Sequence, residues 1–249
     1  EPVTVGKKNQ GNNFCIGIQG NWPKCTSCHI GYGWADETFD FNDSSNVDCL
    51  ACHADMDTYA KGTAGNPADG VDLAAAAQSV SGSPGRDNCG KCHFNGGGGN
   101  GVKHGDLDES LYFPDESLDI HMGRYDMLCI DCHQTEDHQI TGHALSYALE
   151  TKPMAECIDC HDAVPHDDER VNAHTDTVAC QTCHIPATAL KEPTKVNWDW
   201  STAGSDDTPE DHFTYLKIKG SFVYETDFQP SYEWWNGETV SERYLWGDK

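Results

Sequence analysis

The sequence has no long hydrophobic run and little positive charge. No stretch approaches the 18 apolar residues that suggest a membrane-spanning helix, so we expect no membrane span. Lys and Arg together number 16 against 41 Asp and Glu, which gives a formal net charge of −25. A chain this acidic repels nucleic-acid phosphates, so nucleic acid is excluded as an expected partner. Basic protein surfaces are the partners that this charge favours.

Apolar side chains are also scarce. They make up 37% of 249 residues, and 24 residues are Gly, which is little for a self-sufficient core. We therefore expect something besides side chains to fill part of the interior. The chain opens with Glu1 and without a charged and then apolar leader, so we interpret it as a mature or trimmed sequence.

Cysteine, by contrast, is abundant and ordered. Twelve of the 13 Cys fall in six copies of Cys-x-x-Cys-His. The cysteine pairs are Cys25 and Cys28, Cys49 and Cys52, Cys89 and Cys92, Cys129 and Cys132, Cys157 and Cys160, and Cys180 and Cys183. Disulfides and zinc sites also use paired cysteines, but neither requires a His directly after the second Cys. The pattern is that of covalent c-type haem attachment.

The spacing of the motif has a mechanical reason. Two thiols three residues apart lie on one side of a helical turn, so both can form thioethers to one porphyrin edge, and the next residue reaches the iron. The sequence thus predicts six covalently attached haem c groups. The predicted proximal iron ligands are His29, His53, His93, His133, His161 and His184. Because thioether attachment takes place outside the cytoplasm, we expect a periplasmic or extracellular, cell-surface location.

A haem that only transfers electrons usually has a second strong ligand, whereas a catalytic haem leaves one position weak or open. The predicted distal ligands are the seven remaining His, with Lys103 as a further candidate: Lys103, His104, His121, His138, His143, His166, His174 and His212. The four Met are weaker candidates, for which packing is the better interpretation.

Two irregular features stand out. The segment "NGGGGNGVKHGD", residues 95–106, lacks side chains at six positions and then presents Lys103 beside His104. Glycines let a backbone run close to a flat porphyrin, and neighbouring side chains in an extended segment can aim at two different irons. A lysine binds iron only as the neutral amine; the alternative is a solvated lysine. Cys15 belongs to no motif, and is either a buried thiol or a thiol beside the first haem.

The predicted fold is a multihaem cytochrome c, mostly irregular, with short α-helices around a haem stack. Motif starts lie 24, 40, 40, 28 and 23 residues apart, which argues against a true repeat. Short helices are expected at Asp72–Ser79 and Thr141–Glu150, and little sheet before residue 190. We divide the chain into a hexahaem domain, 1–190, and an aromatic-rich C-terminal cover without haem motifs, 191–249. The segment "FTYLKIKGSFVYE", near 213–225, could form a hairpin.

Longer segments carry a family resemblance. "NNFCIGIQGNWPKCTSCHIGYGWADETFDF", "GGGGNGVKHGDLD", "VACQTCHIPATA", "PTKVNWDWSTAG" and "ERYLWGDK" resemble the octahaem tetrathionate reductase family, which is related to hydroxylamine oxidoreductase and pentahaem nitrite reductase. The resemblance spans nearly the whole chain. It implies that the haem on Cys25 and Cys28 is the active-site haem with His29 on one face. It further implies that Lys103 is the family's lysine ligand, that Cys15 is its active-site cysteine, and that tetrathionate, nitrite or hydroxylamine is reduced.

The family carries eight haems, whereas this sequence shows six motifs. Seven spare His and Lys103 make eight possible axial ligands, so the missing motifs lie either in absent ends or in a neighbouring haem-bearing chain.

Two functions remain open. In a reductase, redox partner proteins supply electrons to a small inorganic substrate, and local cations (Lys24, Lys91, Lys103 and Arg86) offset the acidic field. In a conductor, such as a subunit of an extracellular cytochrome filament, self-association lets ligands cross between subunits.

Overall fold

The chain forms two compact units. The computed structural model describes Pro23 and residues 26–96, 98–103, 105–142, 154–202, 220–232 and 234. The first unit holds the described residues up to Tyr112 together with those of Glu192–Glu225, and the second holds those of Phe113–Lys191 and of the segment from Thr226 onward. Three haem motifs belong to each unit. The domain boundary predicted at residue 190 stays a prediction.

The helices are short. The α-helices are Leu50–His53, Leu73–Gln78, Arg86–His93, Ile120–Tyr125, Cys129–Cys132, Cys157–Cys160, Glu169–Asn172 and Cys180–His184. The 3₁₀ turns are Thr26–Cys28, Ser44–Asn46, Thr63–Gly65, Glu109–Tyr112 and Trp200–Thr202. Helices of this length are unstable alone in water, so caps and tertiary contacts must hold them.

Aspartate supplies many of these caps, which gives the acidic composition a structural use. The carboxylate of Asp72 accepts hydrogen bonds from the backbone N–H groups of Ala74 and Ala75 at the start of Leu73–Gln78, as expected of an N-cap residue. Asp119 and Asp168 cap two further helices in the same way. The helix predicted at Asp72–Ser79 is confirmed; the one predicted at Thr141–Glu150 lies mostly outside the described residues.

Two haem motifs carry a cap of their own. In both, the sequence is Cys-Ile-Asp-Cys, and the Asp is the third helical residue. Asp131 accepts from the backbone N–H of Leu128 at 2.6 Å, and Asp159 accepts from that of Glu156 at 2.8 Å. A carboxylate here also meets the positive end of the helix dipole. The residues between the two cysteines thus promote the turn that brings the thiols to one side.

The sheets are small. Strands β1 (Thr135–Glu136) and β2 (Gln139–Ile140) form a two-residue antiparallel ladder. Strands β3 (Thr194–Asp199) and β4 (Ser221–Glu225) pair antiparallel with a register shift between Lys195 and Asn197. Of the hairpin predicted near 213–225, the second half is strand β4, which pairs with β3. Residues 211–219, which would form the first half, lie outside the described residues. The expected class, mostly irregular with short helices and little sheet, is confirmed.

The apolar core is thin, as the composition predicts. In the first unit, Ala54, Tyr59 and Ala76 form a buried cluster against which Met56 packs, so packing is confirmed for that methionine. Phe94 is 1% exposed and meets Tyr112 edge to face at 4.8 Å between ring centroids. Among the described helices, none combines the length and apolar character that crossing a membrane requires.

Candidate haem sites

The first motif ends in a tight turn that presents His29. The 3₁₀ turn Thr26–Cys28 buries Thr26, whose hydroxyl donates to the carbonyl of Trp34 at 2.7 Å. The indole of Trp34 meets the His29 ring edge to face, 4.7 Å between centroids. The ring of the predicted ligand is therefore fixed by aromatic packing. Cys25, the first cysteine of this motif, lies outside the described residues.

A buried ion pair lies behind the same histidine. The Lys61 ammonium donates to the carbonyl oxygens of His29 at 2.5 Å and Gly31 at 3.1 Å, and it lies 3.4 Å from the Asp48 carboxylate. The side chains of Lys61 and Asp48 are 9% and 6% exposed. Burial, and then the Lys61 charge, lower the pKa of His29. Both effects favour the neutral imidazole, which is the form that ligates a metal.

Tyr59 completes this group. Its hydroxyl donates to Oδ2 of Asp48, the same carboxylate oxygen that lies 3.4 Å from the Lys61 ammonium. Burial, together with the hydrogen bond to Asp48, raises the pKa of Tyr59, so the phenol keeps its proton and stays a donor. Sequence reasoning missed both Lys61 and Asp48. Lys61 lies in a segment without a motif, Asp48 lies just before Cys49, and only the fold brings the two together behind His29.

The first unit brings the cysteines of different motifs into contact. The thiol of Cys28 is hydrogen-bonded to that of Cys92, and this bond lowers the pKa of the Cys28 thiol to about 6 and raises that of Cys92. Burial raises the pKa of the Cys52 thiol. The Asn88 amide also donates to the carbonyl of Ala54 at 2.8 Å, which ties the second and third motifs together. Three porphyrin edges attached at these sulfurs would start close to one another.

Two of the predicted proximal histidines are oriented by hydrogen bonds to backbone carbonyl oxygens. His53 Nδ1 lies 3.0 Å from the carbonyl oxygen of Ser81, and His133 Nδ1 lies 2.9 Å from that of Thr141. A carbonyl only accepts, so Nδ1 carries the proton in each ring. Nε2 is then the unprotonated nitrogen, the form in which histidine ligates a metal.

In the second unit, two predicted distal ligands face two proximal ones. The ring centroids of His121 and His161 are 6.1 Å apart, and those of His166 and His184 are 5.9 Å apart. Two imidazoles that share one metal have centroids roughly 6 Å apart, given metal–nitrogen bonds of about 2.0 Å. Both spacings match that value, and in each pair one ring directly follows a Cys-x-x-Cys segment.

Asn172 holds His166 in this position. The Asn172 side-chain oxygen accepts from the backbone N–H of His166 at 3.0 Å and lies 3.2 Å from its Nδ1. The Asn172 amide donates back to the carbonyl of His166 at 2.6 Å. Because an amide oxygen only accepts, Nδ1 carries the proton and Nε2 is the unprotonated nitrogen that can ligate a metal. Sequence reasoning missed Asn172, because an Asn six residues after a His has no recognised pattern.

The glycine-rich loop is fastened to strand β3. Lys195 N–H donates to the carbonyl of Val102 at 2.8 Å, and the Thr194 hydroxyl accepts from Gly105 N–H at 3.2 Å. Gly101 turns the chain with a φ of +62°, which other residues seldom adopt. Lys103 lies between these two anchors, with its side chain exposed. The strand that belongs to the predicted C-terminal cover therefore shapes the loop that carries the predicted lysine ligand.

The other predicted ligands are dispersed. His138 lies at the β1–β2 turn with a φ of 63°, a region in which His is found more often than most residues. His174 is exposed just after the helix Glu169–Asn172, and His93 ends the helix Arg86–His93. Several predicted residues lie outside the described part of the chain: Cys15, Cys25, His104, His143 and His212.

The residues present fit haem. The described cysteines of the second, fourth, fifth and sixth motifs lie at or within single helical turns, and Cys28, Cys52 and Cys92 are in no disulfide. Of the histidines of these four motifs, His53 and His133 hold the proton on Nδ1, and the other two lie at the spacing of a shared metal from a second imidazole. These are the donors that a covalently bound haem requires.

Comparisons with known proteins agree with this chemistry. A family model described as bacterial cytochrome c matches residues 195–249. The structure of an octaheme cytochrome c from Shewanella oneidensis is 50% identical, with a TM-score of 0.75, and the match covers 92% of this chain and 53% of that one. An uncharacterised protein of Archaeoglobus fulgidus is 27% identical over 157 residues, which is 55% of this chain and 52% of that protein.

The chain thus spans about half the length of both relatives. The match to the octaheme structure extends over nearly all of this chain. That match, the cytochrome family model and the six Cys-x-x-Cys-His motifs point to one protein class. The chain belongs to the multihaem c-type cytochromes.

Proposed function

We propose that the chain carries six haem c groups and conducts electrons to the haem on Cys25 and Cys28, where a small sulfur or nitrogen oxo-compound such as tetrathionate, nitrite or hydroxylamine is reduced. The conduction of electrons is supported by two pairs of histidine rings, one at the fifth motif and one at the sixth. Their ring centroids are 6.1 and 5.9 Å apart. Two strong ligands close both iron positions, which is the ligation of a transfer haem.

The chain's own residues have separable roles in this proposal. Haem supplies one-electron chemistry and, at an open position, a Lewis-acidic iron. Cysteine pairs would anchor each porphyrin, and the following histidine would ligate its iron. His121 and His166 serve as distal ligands in the second unit. Contacts between Cys28 and Cys92 support short separations between the haems of the first unit.

The catalytic part rests on the surroundings of His29. The resemblance assigns Lys103 as the distal ligand and Cys15 as an active-site thiol. Residues on either side of Lys103 are hydrogen-bonded to β3. These bonds support a fixed backbone position for Lys103. Reduction of tetrathionate to two thiosulfates takes two electrons and no proton, and redox partner proteins supply them. Thioether attachment supports a periplasmic or cell-surface location.

A second candidate function is electron conduction without catalysis, for example as a subunit of an extracellular cytochrome filament. The same two histidine pairs favour it, because bis-His ligation gives conduction without chemistry. In that case every iron has two strong ligands, and the surplus histidines of the sequence serve haems of a neighbouring chain.

The discriminating experiment is kinetic and spectroscopic together. The full chain is purified with its haems, reduced, and mixed with tetrathionate, nitrite or hydroxylamine while haem oxidation is followed. A reductase should show haem oxidation that depends on the substrate. It should also show one ferric haem whose EPR signal differs from that of a haem with two histidine ligands. Lys103→Met should alter that signal and the rate, while Arg124→Met, which removes an exposed cation paired with Glu116 in the second unit, should alter neither. No oxidation by any substrate, with uniform bis-His signals and concentration-dependent polymers, would favour the conductor.

A further inference from the structure

Lys61 and Asp48 form a buried ion pair against the backbone of the first haem motif. Burying two charges costs desolvation free energy unless further hydrogen bonds satisfy them. Here both side chains make such hydrogen bonds. The Lys61 ammonium has the carbonyl oxygens of His29 and Gly31 as well as the carboxylate. Asp48 has the Tyr59 hydroxyl on one oxygen and the N–H of Leu50, at 3.1 Å, on the other.

The chain is folded to put the ammonium there. The turn Thr63–Gly65 follows Lys61, and its Ala64 carbonyl accepts from the N–H groups of Gly33 and Trp34 at 2.9 and 3.1 Å. Gly65 has a φ of +72°, and a Cβ at this position would lie 2.5 Å from the Gly31 carbonyl oxygen. Only glycine allows this approach, so the turn fixes Lys61 against the residues that follow His29.

The pair also joins two motifs. Lys61 contacts the carbonyl of His29, the last residue of the first motif. Asp48 directly precedes Cys49, the first cysteine of the second motif, and its N–H donates to the carbonyl of Ile30 at 2.8 Å. A buried charge pair therefore lies between the backbone segments that carry two neighbouring haems.

We propose that Lys61 is a positioning residue that holds His29 and sets the reduction potential of the haem on Cys25 and Cys28. The inference rests on the proposed function only in that this haem is attached and bound by His29. Reduction of ferric haem removes one positive charge from the iron. A nearby ammonium therefore favours the ferrous state, and a nearby carboxylate favours the ferric state.

This arrangement predicts opposite effects for the two charges. Lys61→Met removes the ammonium and leaves the carboxylate, so the midpoint potential of this haem should fall. Asp48→Asn removes the carboxylate and leaves the ammonium, so the potential should rise. With an effective dielectric constant of about 20, each change is expected to alter the ferric-to-ferrous ratio at a given ambient potential about tenfold, which is about 59 mV for one electron.

The test is a potentiometric titration of the full haem-loaded chain followed by low-temperature EPR, which separates ferric haems by their signals. Lys61→Arg keeps the charge and should keep the potential. Arg124→Met makes the same change of net charge at an exposed position of the second unit and should leave the potential of this haem unchanged. Intact-mass measurement of each variant counts the attached haems.

The outcomes are distinguishable. One ferric signal that titrates lower in Lys61→Met and higher in Asp48→Asn supports the inference. Shifts of the same sign in both variants would indicate loosened structure that admits water, and would overturn it. Unchanged potentials in both variants would also overturn it. If the wild-type peptide around Cys25 carries no haem, the proposed function fails instead.

Discussion

The pairing of His166 with His184 gives the sharpest test of ligation. Asn172 makes three hydrogen bonds to His166, and each is worth about 1 kcal/mol net. Because the side chains are only partly buried and two of the bonds share one oxygen, about 3 kcal/mol is an upper bound for their sum. In Asn172→Ala, the ratio of ligated to unligated His166 should therefore fall by up to about a hundredfold.

Binding of carbon monoxide to the reduced protein measures this ratio, because the gas must displace the histidine. Asn172→Ala should bind carbon monoxide at one haem at concentrations up to about a hundredfold lower than wild type. His166→Ala should bind it without displacement and show one high-spin ferric haem. Asn42→Ala, which loses one exposed side-chain hydrogen bond to Asp40, is the matched control.

The reasoning is refuted if His166→Ala keeps all its haems and stays fully low-spin. Another side chain would then serve that iron, and the 5.9 Å spacing would have no role in ligation. It is also refuted if Asn172→Ala binds carbon monoxide as wild type does.

Three further predictions concern local structure. Thr194→Val removes the hydroxyl that fastens the glycine-rich loop, so it should cost about 1 kcal/mol of unfolding free energy and shift the EPR signal of the haem that Lys103 is proposed to ligate. Gly90→Ala would set a Cβ 2.3 Å from a buried ring and should cost about 1–3 kcal/mol in chemical denaturation, whereas Gly82→Ala meets nothing within 4 Å and should be neutral. Hydrogen bonds from Ser117, first from its hydroxyl and second from its backbone N–H, lower the pKa of Asp115. The Asp115 carboxylate therefore stabilises the fold above its unfolded pKa of about 3.9, and this stabilisation is lost as the pH falls through its lower pKa in the folded state. Ser117→Ala should raise that pKa in an NMR titration, and an unchanged titration would contradict the assignment.

Local chemistry could be predicted from the sequence. Haem attachment depends on three residues within one helical turn, so Cys-x-x-Cys-His identifies it without knowledge of the fold. The helix at Leu73–Gln78 follows from an Asp N-cap before a run of alanines. The scarcity of apolar residues predicted a thin side-chain core, and the buried cluster around Tyr59 is indeed small.

Long-range pairing could not be predicted. His121 and His161 are 40 residues apart in an irregular chain, and no periodicity states which histidine will face which motif. Lys61 reaches His29 through a turn in which Ala64 and Gly65 both have positive φ, a conformation that sequence patterns rarely reveal. The strand pairing of β3 with β4 was likewise missed, since alternation within one segment does not name its partner.

The account depends most directly on covalent haem at every motif. Intact-mass spectrometry of the purified chain, with proteolytic mapping of each Cys-x-x-Cys-His peptide, measures this. We expect six haem increments, one on each peptide, together with a c-type visible spectrum. A mass without these increments, with the cysteines recovered as thiols, disulfides or zinc ligands, would contradict the account.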